Sequence, residues 1–270
     1  MVVEDFKKVK QNRAGSLITT KSQPQVDLFN HVSKDVKIPQ ISVIMPAFNE
    51  ERAVGDLIDQ TERVLQEITG NYEIIVIDDG SQDKTLEICR EKRVITIHNL
   101  CNTGKGYALR ESFKIARGGV IITIDGDGEH NPEEIPLLLK PIFDGNADFV
   151  LGTRFAQNQE SPVTTAVNIF GNKLFNFLIY RLTSRYFTDT QCGFRAFKRA
   201  CLSHLTLKSF GYDIETEMVV QIARQNIPFC EVPINSPITY LRKSNINRII
   251  DGIKILYTIF KTRLKKYSIK

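Results

Sequence analysis

Five apolar runs punctuate residues 41 to 155: ISVIMPAF (41–48), YEIIVIDD (72–79), VITIHN (94–99), VIITIDGD (120–127) and DFVLGTRF (148–155). Helix-like stretches separate them, near 51–68, 82–91, 104–117 and 132–144. Continuous apolar runs mark strands buried on both faces, and their alternation with helices builds βαβ units. The expected fold is therefore α/β, with a Rossmann-like, mostly parallel sheet flanked by helices and right-handed crossovers. With 42% hydrophobic and 25% charged residues, the chain has the material for such a core.

After Phe155 the alternation stops. A Gln/Ser/Pro stretch (156–162) reads as a loop. The segment AVNIFGNKLFNFLIYRL that follows places Val167, Phe170, Leu174, Phe177, Leu178 and Leu182 at helical spacing. A turn is expected at DTQCGFR (189–195), a helix near 213–225, a short strand near 228–234 and a basic amphipathic helix from about 245 to 265. Residues 1–38 are polar and aperiodic, so they read as an N-terminal extension. Residues 39–242 form the main domain, and 243–270 a basic C-terminal helix.

Charge is unevenly placed. Residues 238–270 carry nine Lys/Arg against one acid, a local charge of +8, which leaves the other 237 residues at −3 within a total of +5. A basic tail on a mildly acidic body points to a polyanionic partner, nucleic acid or an anionic membrane face. No run reaches the ~18 apolar residues that span a bilayer, and the N-terminus lacks a signal-peptide core. The five cysteines (89, 101, 192, 201, 230) contain no C-x-x-C pair, so they read as reduced thiols of a cytoplasmic protein.

Ligands of doubly wound sheets bind beyond the carboxyl ends of the strands. There the chain places Glu50, Asp78, Asp79, Asp125, Asp127 and Glu129, six carboxylates at one sheet edge. Crowded like charges are costly unless a cation or a donor-rich ligand neutralises them. Asp125, Asp127 and Glu129 are hard oxygen ligands suited to Mg²⁺ or Mn²⁺ with phosphates and water. Asp78 and Glu50 suit a base or a ribose. Single acids at such turns are often helix caps, which fits Ser81 and Asp83 but leaves the D-x-D pair unexplained. The Lys105 loop NTGKG lacks the rest of a phosphate-binding G-x-x-x-x-G-K-[ST], so an NTPase reading fails. His130, just before Asn131-Pro132-Glu133, is a ligand candidate or part of a helix-start turn.

PAFNE, DDGS, NTGKG, DGDGEHNPE, GTRF and DTQCGFR occur in that order, followed by Tyr240-Leu241-Arg242-Lys243-Ser244. Together these motifs resemble the inverting family 2 glycosyltransferases of GT-A fold, over about residues 40–250. Within them the chain is most similar to dolichyl-phosphate mannose synthases and dolichyl-phosphate glucosyltransferases. The resemblance implies that Pro46, Phe48 and Glu50 line a nucleoside pocket, with Val76 and Asp78 flanking the base. It implies a metal on Asp125 and Asp127 beside Gly126, with Glu129 as a further ligand, and phosphate contacts from Arg154 and Arg242. Mannose synthases often carry Gln where Glu129 stands, a departure that adds a charge. The chain also has Lys243-Ser244-Asn245 where relatives often have Gly-x-Ser-Lys.

The resemblance thus implies a metal-dependent hexosyltransferase using a UDP- or GDP-linked sugar and a polyprenyl-phosphate acceptor. It would sit peripherally on the cytoplasmic membrane face. A sugar-hydroxyl acceptor, with Asp189 or Asp213 as general base, is the alternative. Nucleic acid is not expected as a partner: the carboxylate cluster would repel phosphates, and the tail lacks interleaved aromatic platforms. A phospho-acceptor signalling domain built on Asp78-Asp79 leaves the D-x-D pair without a role.

Overall fold

The computed structural model describes residues 38–155, 166–235 and 248–264; side chains of 166–170, 248–251 and 262–264 are outside the description. Seven strands form one sheet: β1 (Ile41–Ala47), β2 (Tyr72–Asp78), β3 (Ile95–His98), β4 (Val120–Thr123), β5 (Phe149–Thr153), β6 (Arg195–Lys198) and β7 (Phe229–Pro233). Their order is β3-β2-β1-β4-β6-β5-β7, with β6 antiparallel to β4 and β5 and the other pairs parallel. The helices are α1 (Val54–Ile68), α2 (Thr85–Glu91), α3 (Lys105–Ile115), α4 (Ile135–Phe143), α5 (Ala166–Thr183), α6 (Asp213–Arg224) and α7 (Arg248–Leu264). Short 3₁₀ turns cover Pro132–Glu134 and Arg199–His204.

All five apolar runs are strands, as the sequence predicts, and each helical stretch between them contains a helix. The strand missed by sequence is β6. Only four residues long and opening on an arginine, it lies at the end of the segment expected to be a turn. It inserts between β4 and β5 and so sets how far apart the ends of those two strands lie.

The core has two layers. Met45, Val76, Ile122 and Val150 meet α1 and α4 on one face; Ile44, Ile77, Ile121, Phe149 and Leu151 meet α3 and α6 on the other. Every residue of α6 from Asp213 to Ala223 is buried, because α5 and α7 cover its outer side. Its polar residues are matched. Glu217 Oε2 accepts from the amides of Lys208 and Ser209 (2.7 and 2.8 Å), and Gln221 both accepts from and donates to the Thr206 backbone. Buried polar groups persist where such partners exist.

Helix α7 docks by Ile255, Ile259 and Thr258, whose hydroxyl donates to Asp213 Oδ2 at 2.9 Å. The sequence pattern places Ile253, Tyr257 and Phe260 on the apolar side, yet these are the exposed ones, at 62%, 62% and 50%. The helix therefore has two apolar faces, one docked and one outward.

Candidate active site

The carboxyl ends of β1, β2, β4 and β5 meet at one edge of the sheet. At the end of β1, Pro46 and Phe48 are partly exposed and Glu50 is nearly buried. Asn49 adopts a left-handed turn (φ 57°), and its side-chain oxygen accepts from the Gln82 amide. At the end of β2 the geometry differs from the expectation of six carboxylates lining a crevice. Asp78 is fully buried, with Oδ2 2.7 Å from His98 Nδ1 and Oδ1 accepting from the Ser81 amide. Asp79 accepts from Asn99 Nδ2 and from the amides of Thr103 and Gly104, so it pins the NTGKG loop. Val76, expected to flank a base, has 0% exposure and belongs to the core, because it lies two residues before the strand ends. Asp83 Oδ1 accepts from the Thr85 amide just before the N-cap position of α2, whereas Ser81, the other expected cap, instead accepts from the Asn49 amide at 2.8 Å.

Past β4, Gly126 lies tight against the Pro46 carbonyl, which its amide meets at 3.0 Å. This approach fixes Asp125 and Asp127 on either side of it. Lys105 Nζ lies 2.7 Å from Asp125 Oδ1 and 2.6 Å from Glu215 Oε1, with its side chain 11% exposed. Burial alone would lower the ammonium pKa, but the two carboxylates outweigh it and hold it above its usual range. Burial would likewise raise Asp125, but Lys105 holds it below the ordinary carboxylate value. Asp127 makes no such direct ion pair, and Lys105 offsets it only partly. Burial, then the charges of Asp125 and Glu129, push it up to about 7. Glu129 itself is exposed, and its amide donates to Asp127 Oδ1 at 3.0 Å.

Among the described residues no three His, Cys, Asp or Glu side chains converge as a ready-made metal cage. Lys105 also donates to Asp125 Oδ2 at 2.9 Å, so the Asp125–Asp127 pair fits a hard cation with Asp127 as the open carboxylate and Asp125 contributing where Lys105 yields an oxygen. Two crowded carboxylates suit an ion that takes its remaining oxygens from water and a substrate phosphate. His130 is buried and stacks on Phe194 with ring centroids 5.3 Å apart. Burial pushes its pKa down to about 4, so the imidazole is neutral.

Arg154 projects from the end of β5. Its Nε and Nη2 donate to Asp189 Oδ2 and Oδ1 at 2.7 and 3.0 Å, a two-point pair with Asp189 at 0% exposure and Arg154 at 27%. Asp189, a candidate general base by sequence, thus has both oxygens committed to a cation. Asp213, the other candidate, accepts from Thr258 and from the Gly211 amide. The loop carrying Asp189 is clamped by Arg195, fully buried, which donates to the carbonyls of Thr190, Cys192 and Glu215 at 3.0, 2.8 and 3.1 Å. Arg242 and Lys243 lie outside the described residues.

Gly193 closes the site from the same loop. A Cβ there would strike Asp125 Oδ2 and lie 2.8 Å from its Cγ. Gly193→Ala is expected to push Asp125 off Lys105 and lower turnover by about 10–10²-fold, the scale of a ~1 Å misplacement, while circular dichroism stays native. Wild-type turnover in that variant would show that the Asp125 position is not critical.

The site thus sets a carboxylate pair on one side of a sheet edge and a held arginine on the other, an arrangement compatible with a transferase of GT-A type. The comparisons agree. Residues 42–206 match the family described as Glycosyl transferase family 2. An uncharacterized protein of Methanocaldococcus jannaschii, MJ1222, is 32% identical over 240 residues, covering 87% of this chain and 95% of the relative. The UDP-N-acetylglucosamine–dolichyl-phosphate N-acetylglucosaminyltransferase of Methanococcus voltae is 27% identical over 250 residues, covering 84% and 97%. Among solved structures, glucosyl-3-phosphoglycerate synthase from Mycobacterium tuberculosis, in complex with Mn²⁺, UDP and phosphoglyceric acid, matches with a TM-score of 0.66 at 19% identity. That match covers 85% of this chain and 80% of the other. The chain belongs to glycosyltransferase family 2 and is a glycosyltransferase of GT-A fold.

Proposed function

We propose that this glycosyltransferase moves a hexose, with inversion, from a UDP- or GDP-linked sugar to a polyprenyl phosphate on the cytoplasmic face of a membrane. The observation that carries the reading is that the Asp125–Asp127 carboxylates after β4 and the Arg154 arm after β5 stand at the same edge of the sheet, with Arg154 held by Asp189. A nucleotide sugar needs the first, a departing diphosphate or an incoming phosphate the second. The Methanococcus voltae relative, named for dolichyl phosphate, supports the acceptor class.

The acceptor phosphate is ionised near neutral pH, so its oxygen attacks the anomeric carbon without first losing a proton to the protein. The bond from that carbon to the nucleoside diphosphate breaks, and the diphosphate leaves with the electron pair. This suits a site whose candidate bases, Asp189 and Asp213, are both engaged elsewhere. Asp125 and Asp127 would hold Mg²⁺ or Mn²⁺, which supplies charge neutralisation on the departing diphosphate, with Glu129 beside them. Pro46, Phe48 and Glu50 would border the nucleoside, with Asp78 acting behind His98. Arg154 would meet a phosphate with the guanidinium edge not used by Asp189, and Arg242 is proposed as a second phosphate contact.

Among the described residues no helix is long and apolar enough to cross a membrane. The outward faces of α5 and α7 instead expose Leu174, Phe177, Tyr180, Ile253, Tyr257 and Phe260, and Lys261 lies over the Tyr257 ring at 5.3 Å. An apolar stripe flanked by lysines fits peripheral contact with anionic lipid. Each Lys or Arg near such a surface is worth about 1 kcal/mol. Changing Lys261, Lys265 and Lys266 to Glu should abolish sedimentation with anionic liposomes at low salt while leaving the fold intact. Binding that ignores both charge reversal and salt would rule out electrostatic anchoring.

The direct test of the function offers radiolabelled UDP- and GDP-sugars with short polyprenyl phosphates, with and without Mn²⁺. Label passing into the organic phase only when both metal and lipid phosphate are present is expected. Label transferred to free sugars instead would overturn the acceptor class.

A further inference from the structure

Glu231 lies on the edge strand β7, opposite Leu151 of β5. Its two oxygens are each 2.9 Å from the Thr188 amide, and Oε1 also accepts from the Asp189 amide at 3.1 Å. The same peptide is gripped from the other side. The Thr188 carbonyl accepts from Asn172 and Asn176 of α5 at 2.9 and 2.8 Å, and the Thr188 and Thr153 hydroxyls meet at 2.6 Å. Thr188 and Asp189 are thus tied to three elements, and the Asp189 carboxylate emerges from a fixed backbone to meet Arg154 at two points.

This placement has a cost. Burial raises the Glu231 pKa, and the charge of Asp189 adds to it, while the Thr188 and Asp189 amides pull it back. The parallel pairing of β7 with β5 runs over five residues through the main chain, which registers the strand without a carboxylate. An acid at this cost makes sense if it is needed where it acts, on the dipeptide that aims the arginine. We infer that Glu231 is a positioning residue for sugar transfer: it fixes the Thr188–Asp189 backbone so that Asp189 presents Arg154 to a substrate phosphate. The inference rests on the reading of Arg154 as a phosphate arm.

A double-mutant cycle tests it. Glu231→Gln keeps the volume and one acceptor oxygen but removes the charge and sets an NH₂ group against the Thr188 amide in place of Oε2. In the wild-type background it should lower kcat/KM by about 10–10²-fold, the effect of a ~1 Å misplacement. In an Arg154→Ala background it should lower the remaining rate by less than twofold, because the group it aims is gone. Slow exchange of the Arg154 Nε–H, followed by ¹⁵N NMR without substrate, should speed up in Glu231→Gln. If Arg154→Ala alone leaves transfer unchanged, the phosphate-arm reading falls, and this inference with it. If Arg154→Ala is impaired but Glu231→Gln is silent, or costs the same in both backgrounds, the inference alone is overturned. Glu231→Asp keeps the charge but retracts it by one methylene. It carries the same test, with the same outcomes, should the glutamine variant not fold.

Discussion

Asp127→Asn should lower sugar transfer by at least ~10²-fold, the scale of losing one strong stabiliser of developing charge. Asparagine keeps the shape of the side chain and removes the charge. Of the two paired acids, Asp127 is the one without a lysine in direct contact: Lys105 sits on Asp125 and offsets Asp127 only from a distance, so burial and two neighbouring acids still push Asp127 up to about 7. Its charge is thus the one left for an external cation to compensate. Asp125→Asn should behave differently, because it also frees Lys105 from one of its two carboxylates. Mn²⁺ titration of both variants by paramagnetic broadening checks the assignment apart from activity. Unchanged transfer in Asp127→Asn, or full activity in EDTA, would remove the metal from the proposed mechanism.

Arg154→Ala is expected to fail twice. Loss of a preorganised cation at a developing phosphate charge costs about 10²–10³-fold in rate. The same change leaves the Asp189 carboxylate at 0% exposure with no cation, and breaking a buried pair from one side costs roughly 3–5 kcal/mol. Arg154→Lys separates the effects. A lysine keeps the charge beside Asp189 and should recover most of the stability, read as the urea midpoint. It cannot reproduce the two-point fork and should recover little of the rate. A lysine variant with full activity would mean that the orientation of the fork is irrelevant.

The residues differ in how much of this the sequence disclosed. The parallel half of the sheet was legible because strands buried on both faces leave uninterrupted apolar runs, as in β1 and β2. The D-x-D pair was legible because two acids at one strand end exceed what a helix cap requires. Strand β6 was hidden: it is four residues long, and Arg195 reads as a surface residue although its guanidinium serves three buried carbonyls. Asp78 and Asp79 show the limit of inferring direction from position. Both stand at the right edge, but both are spent on partners distant in sequence, His98 and the Thr103–Gly104 amides. Lys105 looked like a fragment of a phosphate loop, because nothing local announces that Glu215, 110 residues later, shares it with Asp125. Glu231 gave no signal at all. An acid on a short strand usually faces solvent, and only the fold brings the Thr188 amide to it. The two apolar faces of α7 were read as one because a period of 3.6 does not say which neighbour each face meets.

The insertion of β6 between β4 and β5 has a consequence for how the molecule comes into being. A chain emerging from the ribosome can pair β1, β2, β3 and β4 from the first 123 residues, since these strands are mutual neighbours. Strand β5 follows next in sequence but has no place beside β4; it must wait for Arg195–Lys198, and β7 must wait for β5. Until then the edge of β4 stands open, a template for pairing with other nascent chains. The arginine side of the site draws on contacts that span Arg154 to Glu231, so its closure is expected to follow pairing of the β1–β4 half and to be slow. Substitutions in GFRAFK should accordingly show up first as lower soluble yield during synthesis, before any defect appears in the protein that does mature.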